Sequence, residues 1–314
     1  MKNLITIPFL FSFLLSFSQY EYPKQEYAKL VLNSTLVVEL LEGNEEDVVN
    51  MNNSIKDVFT KHWTATDVLF MTQPEIKTLC NKYKDGYAIL YQDDFKYNER
   101  RSGYIDKNGG FGFGQGGQGD ISTKYTAFSF SYFSAYLNIR IDGKNNFVTG
   151  VGFASGNLTK IDHLFLCQQM SLLIHASAEG KKAWEFFNVK KNLEDLKNTT
   201  LILPKFMLKE KDIDKIPKYY DYEHKLVDLE EYQNIVFTKK EGKSYIKIIW
   251  SRQHKLYMWI VVNAKDGTIL SINSFGGVHF GSNQTAKEVI KVKYLKYAGS
   301  KLAQKVNNRY GWKF

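Results

Sequence analysis

Cysteine and proline are both scarce in this chain, with two of the first and five of the second in 314 residues. Two cysteines cannot build the disulfide scaffold that holds many small secreted domains together. Cys80 and Cys167 each stand in an apolar, helix-compatible setting, which leaves two readings: a pair of buried thiols, or one bridge between them. Few prolines and no long polar tracts exclude an extended disordered chain. A composition that is 44% hydrophobic and 15% aromatic supplies ample core.

Familiar catalytic and metal-binding patterns are missing as well. The histidines, at 62, 163, 175, 224, 254 and 279, show no i, i+4 spacing on one helix. There is no H-E-x-x-H and no paired C-x-x-C, so no metal site is expected. No G-x-S-x-G elbow points to a hydrolase, and neither cysteine has the flanks of a thiol protease. Gly112, Gly114 and Gly117 formally satisfy G-x-G-x-x-G. The dinucleotide fingerprint, however, needs a strand directly before it and a helix directly after it. Here more glycine and then a β-type aromatic run (Phe128, Phe130, Tyr132) follow, so no cofactor is expected.

Past residue 18 no stretch approaches the ~18 consecutive apolar residues of a membrane-spanning helix. The first residues have a different logic. Lys2 is the only charge before Glu21, Leu4 to Phe17 is almost unbroken apolar sequence, and Ser16-Phe17-Ser18 is a small-x-small site. The pattern is that of a signal peptide over 1–18 cleaved before Gln19, with an uncleaved anchor as the alternative. The expectation is an exported chain, periplasmic or secreted, with no transmembrane segment once the peptide is removed.

The formal net charge of +9 is uneven. Residues 19–195 carry 19 Lys/Arg against 22 Asp/Glu, and residues 196–314 carry 22 against 11. Eight basic residues fall within 285–314, opposed by Glu288 alone. Such a tail reads as a solvated lysine-rich helix face or as a contact with an anionic surface, through Lys287, Lys291, Lys301 and Lys305. Nucleic acid is not an expected partner for an exported chain.

Two stretches of the chain share one order of elements. Asn33-Ser34-Thr35-Leu36-Val37-Val38 matches Asn198-Thr199-Thr200-Leu201-Ile202-Leu203. A helix-compatible stretch follows each, then a short β-type run (Asp67 to Met71; His224 to Val227) and an acidic helix start (Gln73 to Ile76; Asp228 to Tyr232). A third strand comes next (Gly86 to Tyr91; Ser244 to Trp250). Hairpins with Asp-Gly turns follow, Tyr136 to Ile141 with Phe147 to Phe153, and Met258 to Val262 with Thr268 to Ile272. Glycine in these turns accepts positive φ, and the β-branched and aromatic runs suit a pleated, buried surface. Helices are expected over 158–180 and 284–306, the second with a core stripe of Val292, Leu295, Gly299, Leu302 and Val306. The fold class is therefore α/β, with two tandem diverged units. Each is a mixed sheet (parallel β-α-β-α-β plus an antiparallel hairpin) flanked by helices. The units would occupy 19–190 and 191–314.

On Asn198 to Leu203 and on Lys265-Asp266-Gly267-Thr268-Ile269-Leu270 the chain resembles uncharacterised exported proteins of flavobacterial type with tandem α/β repeats. A remoter likeness, of fold alone, is to the amino-terminal α/β domain of the periplasmic protein TolB, an interaction module. The resemblance implies architecture and does not imply a reaction.

One segment breaks the match between the units: an insertion at about 92–135 in the first, holding the glycine-rich run from Asn108 to Gly119. Phe111 and Phe113, with Arg100 and Arg101 ahead of them, are the candidate contact residues of a recognition loop; a mobile linker is the plainer reading. The functional expectation is an exported, non-enzymatic binding or envelope-associated protein, its partner an envelope protein or a polysaccharide. The alternatives are an enzyme of unfamiliar type with a site at the carboxyl ends of the sheet strands, and anionic-surface docking through the basic carboxyl-terminal helix.

Overall fold

The computed structural model describes residues 22–82, 86–105, 111–113, 126–141, 146–153, 158–186, 189–251, 256–274 and 289–296. Residues 1–18, expected as a signal peptide, Lys287, Lys301, Lys305 and the expected Asp142-Gly143 turn lie outside these residues. The first half runs α1 (Gln25–Leu32), β1 (Thr35–Leu40), α2 (Glu46–His62), β2 (Val68–Thr72), α3 (Gln73–Lys82), β3 (Tyr87–Ile105), β4 (Phe111–Phe113), β5 (Thr126–Ile141), β6 (Asn146–Phe153) and α4 (Lys160–Ala178). The second continues with α5 (Ala183–Phe186), α6 (Val189–Lys197), β7 (Thr200–Pro204), α7 (Ile216–Tyr219), β8 (His224–Val227), α8 (Leu229–Phe237), β9 (Lys243–Ser251), β10 (Leu256–Asn263) and β11 (Ile269–Ser274).

The fold is mixed α/β, with helices on both faces of a mixed sheet. Instead of two separate sheets, the 11 described strands form one, whose main path is β2-β1-β3-β5-β6-β9-β10-β11, with β4 beside β3 and with β7, and β8 beyond it, beside β9. The join is short: β6 meets β9 antiparallel at Gly152↔Trp250 and Phe153↔Ile249. β1 pairs parallel with β2 and β3, and β5 joins β3 to β6 antiparallel. In the second half β7 pairs parallel with β8 and β9, and β10 joins β9 to β11 antiparallel.

These pairing senses make β9 run opposite to β3. A crossover of fixed hand leaves the sheet on the opposite face when strand direction is reversed, and the packing follows that rule. The β1-to-β2 crossover helix, α2, places Ile55, Val58 and Phe59 in the main core with Leu36 and Val38. The corresponding crossover from β7 to β8 places Ile216 and Tyr220 on the reverse face, against Leu201 and Leu203. The next crossovers exchange the other way. Ile76 of α3 packs on the reverse face with Val37 and Ile89, while Tyr232, Ile235 and Val236 of α8 join the main core.

One helix knits the halves together. α4 is apolar around most of its circumference and buried on nearly every side, as a helix hydrophobic all round must be. It packs on α1 and α2 of the first half and on α8 of the second. Ser177 Oγ donates to Pro23 O at 2.7 Å, and Gln169 Nε2 donates to Gly267 O at 2.6 Å.

Three sequence readings meet the structure here. No disulfide joins Cys80 to Cys167; Cys167 is buried in the main core and Cys80 packs under the reverse face, so the sheet stands between them. The third strand does not stop at Tyr91 but runs to Ile105, paired with β5 through Gly103↔Thr126, so much of the expected insertion is a β-ribbon. Near the carboxyl terminus, of the expected helix over 284–306 the described part is residues 289–296: a 3-10 turn, Val292–Tyr294, and the helical residues Leu295 and Lys296. Val292 and Leu295 are buried on the reverse face, as the stripe predicts.

Candidate functional site

Strands β6 and β7 approach the same edge of β9 from opposite ends. β7 covers Lys243 to Tyr245 and β6 covers Ile249 and Trp250, so Ile246, Lys247 and Ile248 lie between them. Because β7 is parallel to β9 and β6 antiparallel, the two meet carboxyl end to carboxyl end. Open α/β sheets bind ligands outside strand carboxyl ends, where the chain turns away in different directions. A cleft of about 130 Å³ opens at this place. β6 contributes Phe153, and the start of α4 contributes Leu158, Thr159, Ile161 and Asp162. The 3-10 turn after β7 gives Phe206 and Met207, α8 gives Leu229, Tyr232 and Gln233, and β9 gives Ile246 to Ile248.

Its polar centre is an ion pair. Strand alternation puts Lys247 on the core face beside Tyr245 and Ile249, a costly place for an ammonium unless it is paired. Asp162 of α4 accepts a hydrogen bond from Lys247 Nζ, and the two side chains are only 15% and 11% exposed. The other Asp162 oxygen accepts from Thr159 N at 2.7 Å and Thr159 Oγ1 at 2.6 Å, completing a capping box at the start of α4. Burial pushes the Asp162 carboxyl upward, but the charge of Lys247 and the bonds from Lys247 and Thr159 outweigh it and hold the group below its ordinary range,. Lys247 Nζ also stands 5.8 Å from the centre of the Phe153 ring.

Next to this pair, His163 Nδ1 and Ser54 Oγ share a hydrogen bond of 2.7 Å. Burial lowers the His163 pKa to about 4, so the ring is neutral near pH 7. Burial also pushes the Cys167 thiol up to about 12, which removes thiolate chemistry at neutral pH. Among the described residues, no group of three or more His, Cys, Asp or Glu side chains is placed to hold a metal ion. No described helix is long and apolar enough to cross a membrane.

The residues singled out from sequence lie elsewhere. Arg100 and Arg101 are in β3, opposite Ser129 and Phe128, and Phe111 and Phe113 bracket β4, opposite Ile105 and Gly103. All four therefore belong to the distal end of one ribbon, far along β3 from its pairing with β1. Of the four tail lysines, Lys291 is described, at the start of the 3-10 turn. Lys247 and Asp162 escaped the sequence reading, although two signals mark them. Lys247 is the one charge inside Ser244 to Trp250, and Thr159-Lys160-Ile161-Asp162 has capping-box spacing.

No family model matches the chain, and no curated protein or solved structure matches it.

Proposed function

We propose that the chain is an exported binding protein rather than an enzyme, with its ligand seat in the cleft along β9. The observation that carries this reading is the fixed protonation of the groups at the cleft's polar centre. Acid–base catalysis needs a group whose proton moves near neutral pH. Asp162 is held ionised by three hydrogen bonds, Lys247 is its counter-ion, and neighbouring His163 is kept neutral. What remains is a shaped apolar slot with a fixed charge pair, which suits recognition. The test is an NMR titration of the labelled mature chain with small apolar fragments. Shifts confined to Phe153, Ile161, Ile246 and Ile248 are expected; a chain indifferent to every fragment sinks the reading.

Export is supported by the Lys2, Leu4 to Phe17, Ser16-Phe17-Ser18 pattern, and mass spectrometry of the native protein should find Gln19 as its first residue. An unprocessed Met1 would refute it. Duplication is supported by the shared pairing scheme of the two halves, including the exchange of faces that a reversed copy requires. It makes 19–190 and 191–314 two diverged units with one hydrophobic centre.

A second contact surface is favoured by the ribbon, whose register gathers Arg100, Arg101, Phe111 and Phe113 at one end. In this reading the ribbon tip holds an envelope protein or polysaccharide. Deleting 103–119 should leave the melting temperature within a few degrees of the parent and release the protein from the envelope fraction. Undiminished envelope association would rule the ribbon out.

A further inference from the structure

We infer that the cleft along β9 takes a small carboxylate on an apolar body: a branched-aliphatic or aromatic acid, either free or as the carboxyl-terminal residue of a peptide. This rests on the binding reading above and supplies the ligand class it leaves open.

The Lys247 ammonium sets the polar end of the ligand. An ammonium has three N–H donors and no acceptor. Among the described residues Asp162 takes one of them, and the remaining contact is the face of Phe153. Among those residues, two donors thus have no protein oxygen, on a side chain that is 15% exposed and lines the cleft. They are open to oxygen acceptors on a ligand in the cleft. Charged acceptors make hydrogen bonds to an ammonium roughly twice as strong as neutral ones. Asp162 cannot give way to the ligand, because Thr159 binds its other oxygen. Lys247 therefore serves as a cation shared between two carboxylates.

Size and lining fix the rest of the ligand. A cavity of about 130 Å³ is slightly smaller than the roughly 150 Å³ that accommodates benzene. It suits one ring or one branched chain. Phe153, Leu158 and Ile161, packed in the same core as the strand neighbours of Lys247, wall it, and Phe206 and Leu229, more than half exposed, flank its mouth.

Calorimetry and NMR on the mature full-length chain test the inference with 4-methylpentanoate and benzoate against their neutral amides. Each acid should bind at least tenfold more tightly than its amide, with shifts at Ile161, Ile246 and Ile248. Lys247→Met combined with Asp162→Asn, which removes both charges together, should cost the acids at least tenfold and the amides much less, so that acid and amide bind alike. A peptide ending in leucine with a free carboxylate distinguishes the sources. Tighter binding than 4-methylpentanoate assigns the site to chain ends, and weaker binding assigns it to free acids; both support the class. Acids and amides that bind equally at the cleft would overturn the carboxylate and leave the binding reading standing. Absence of binding by every probe, with the fold intact by circular dichroism, would overturn both.

Discussion

Lys247 shows how much can depend on one side chain. Removing one member of a buried ion pair strands the other in a medium that solvates it poorly, at a cost of about 3–5 kcal/mol. Lys247→Met should lower unfolding free energy by about that amount, and adding Asp162→Asn should recover at least half of it; chemical denaturation measures both. The pair also sets an acid limit. The folded-state pKa of Asp162 is depressed, so its stabilisation is complete above the unfolded carboxylate value and disappears as pH falls through the folded one. His163 acts over a higher window. Its pKa falls from 6.5 unfolded to about 4 folded, so stability is full above 6.5 and drains away between 6.5 and 4, by about 3 kcal/mol in all. Denaturation at pH 7 and pH 4.5 should show most of that loss in the parent and a flatter response in His163→Gln. Equal pH slopes in the two proteins would show that the ring titrates freely.

At the scale of elements, turns and helix ends are the sensitive points. Gly267 has φ +83° at the β10–β11 turn, and a Cβ there would stand 2.7 Å from Gln168 Cβ on α4. Gly267→Ala combines left-handed strain with a collision and should destabilise by about 1–3 kcal/mol in denaturant titration. Thr159→Ala removes the α4 cap and should cost about 1 kcal/mol. Much at this scale was legible beforehand. The 158–180 helix, the Asp266-Gly267 turn and the strands opening each half follow from periodicity and turn chemistry. The length of β3 and β5 was hidden, because Asp93 to Ser102 is dense in charge and polar residues and a ribbon needs no buried face to continue its ladder. The cleft was hidden for another reason: it arises where β6 and β7 meet end to end, and no local pattern records that Phe153 and Phe206 become neighbours.

For the whole molecule, the order of elements in each half could be read from the chain, but their union into one sheet could not. The union rests on two rungs between β6 and β9 and on α4, whose neighbours come from both halves. Because the main core draws on Leu36 and Ile55 as well as Val236, Val262 and Ile269, heat should melt both halves in a single transition. Calorimetric and van't Hoff enthalpies should agree; two resolved peaks would mean independent halves.

The buried α4 also imposes an order in time. Synthesis delivers the chain from its amino terminus, so α1, α2 and β1 to β6 exist before α8, β10 and β11. In that interval the side of α4 destined for Val236 and Val262 has nothing to cover it, and the edge of β6 has no partner. Growth of the polypeptide therefore passes through a stage with an oily flank and an open strand, and a fragment ending at residue 190 should aggregate where the complete chain stays in solution.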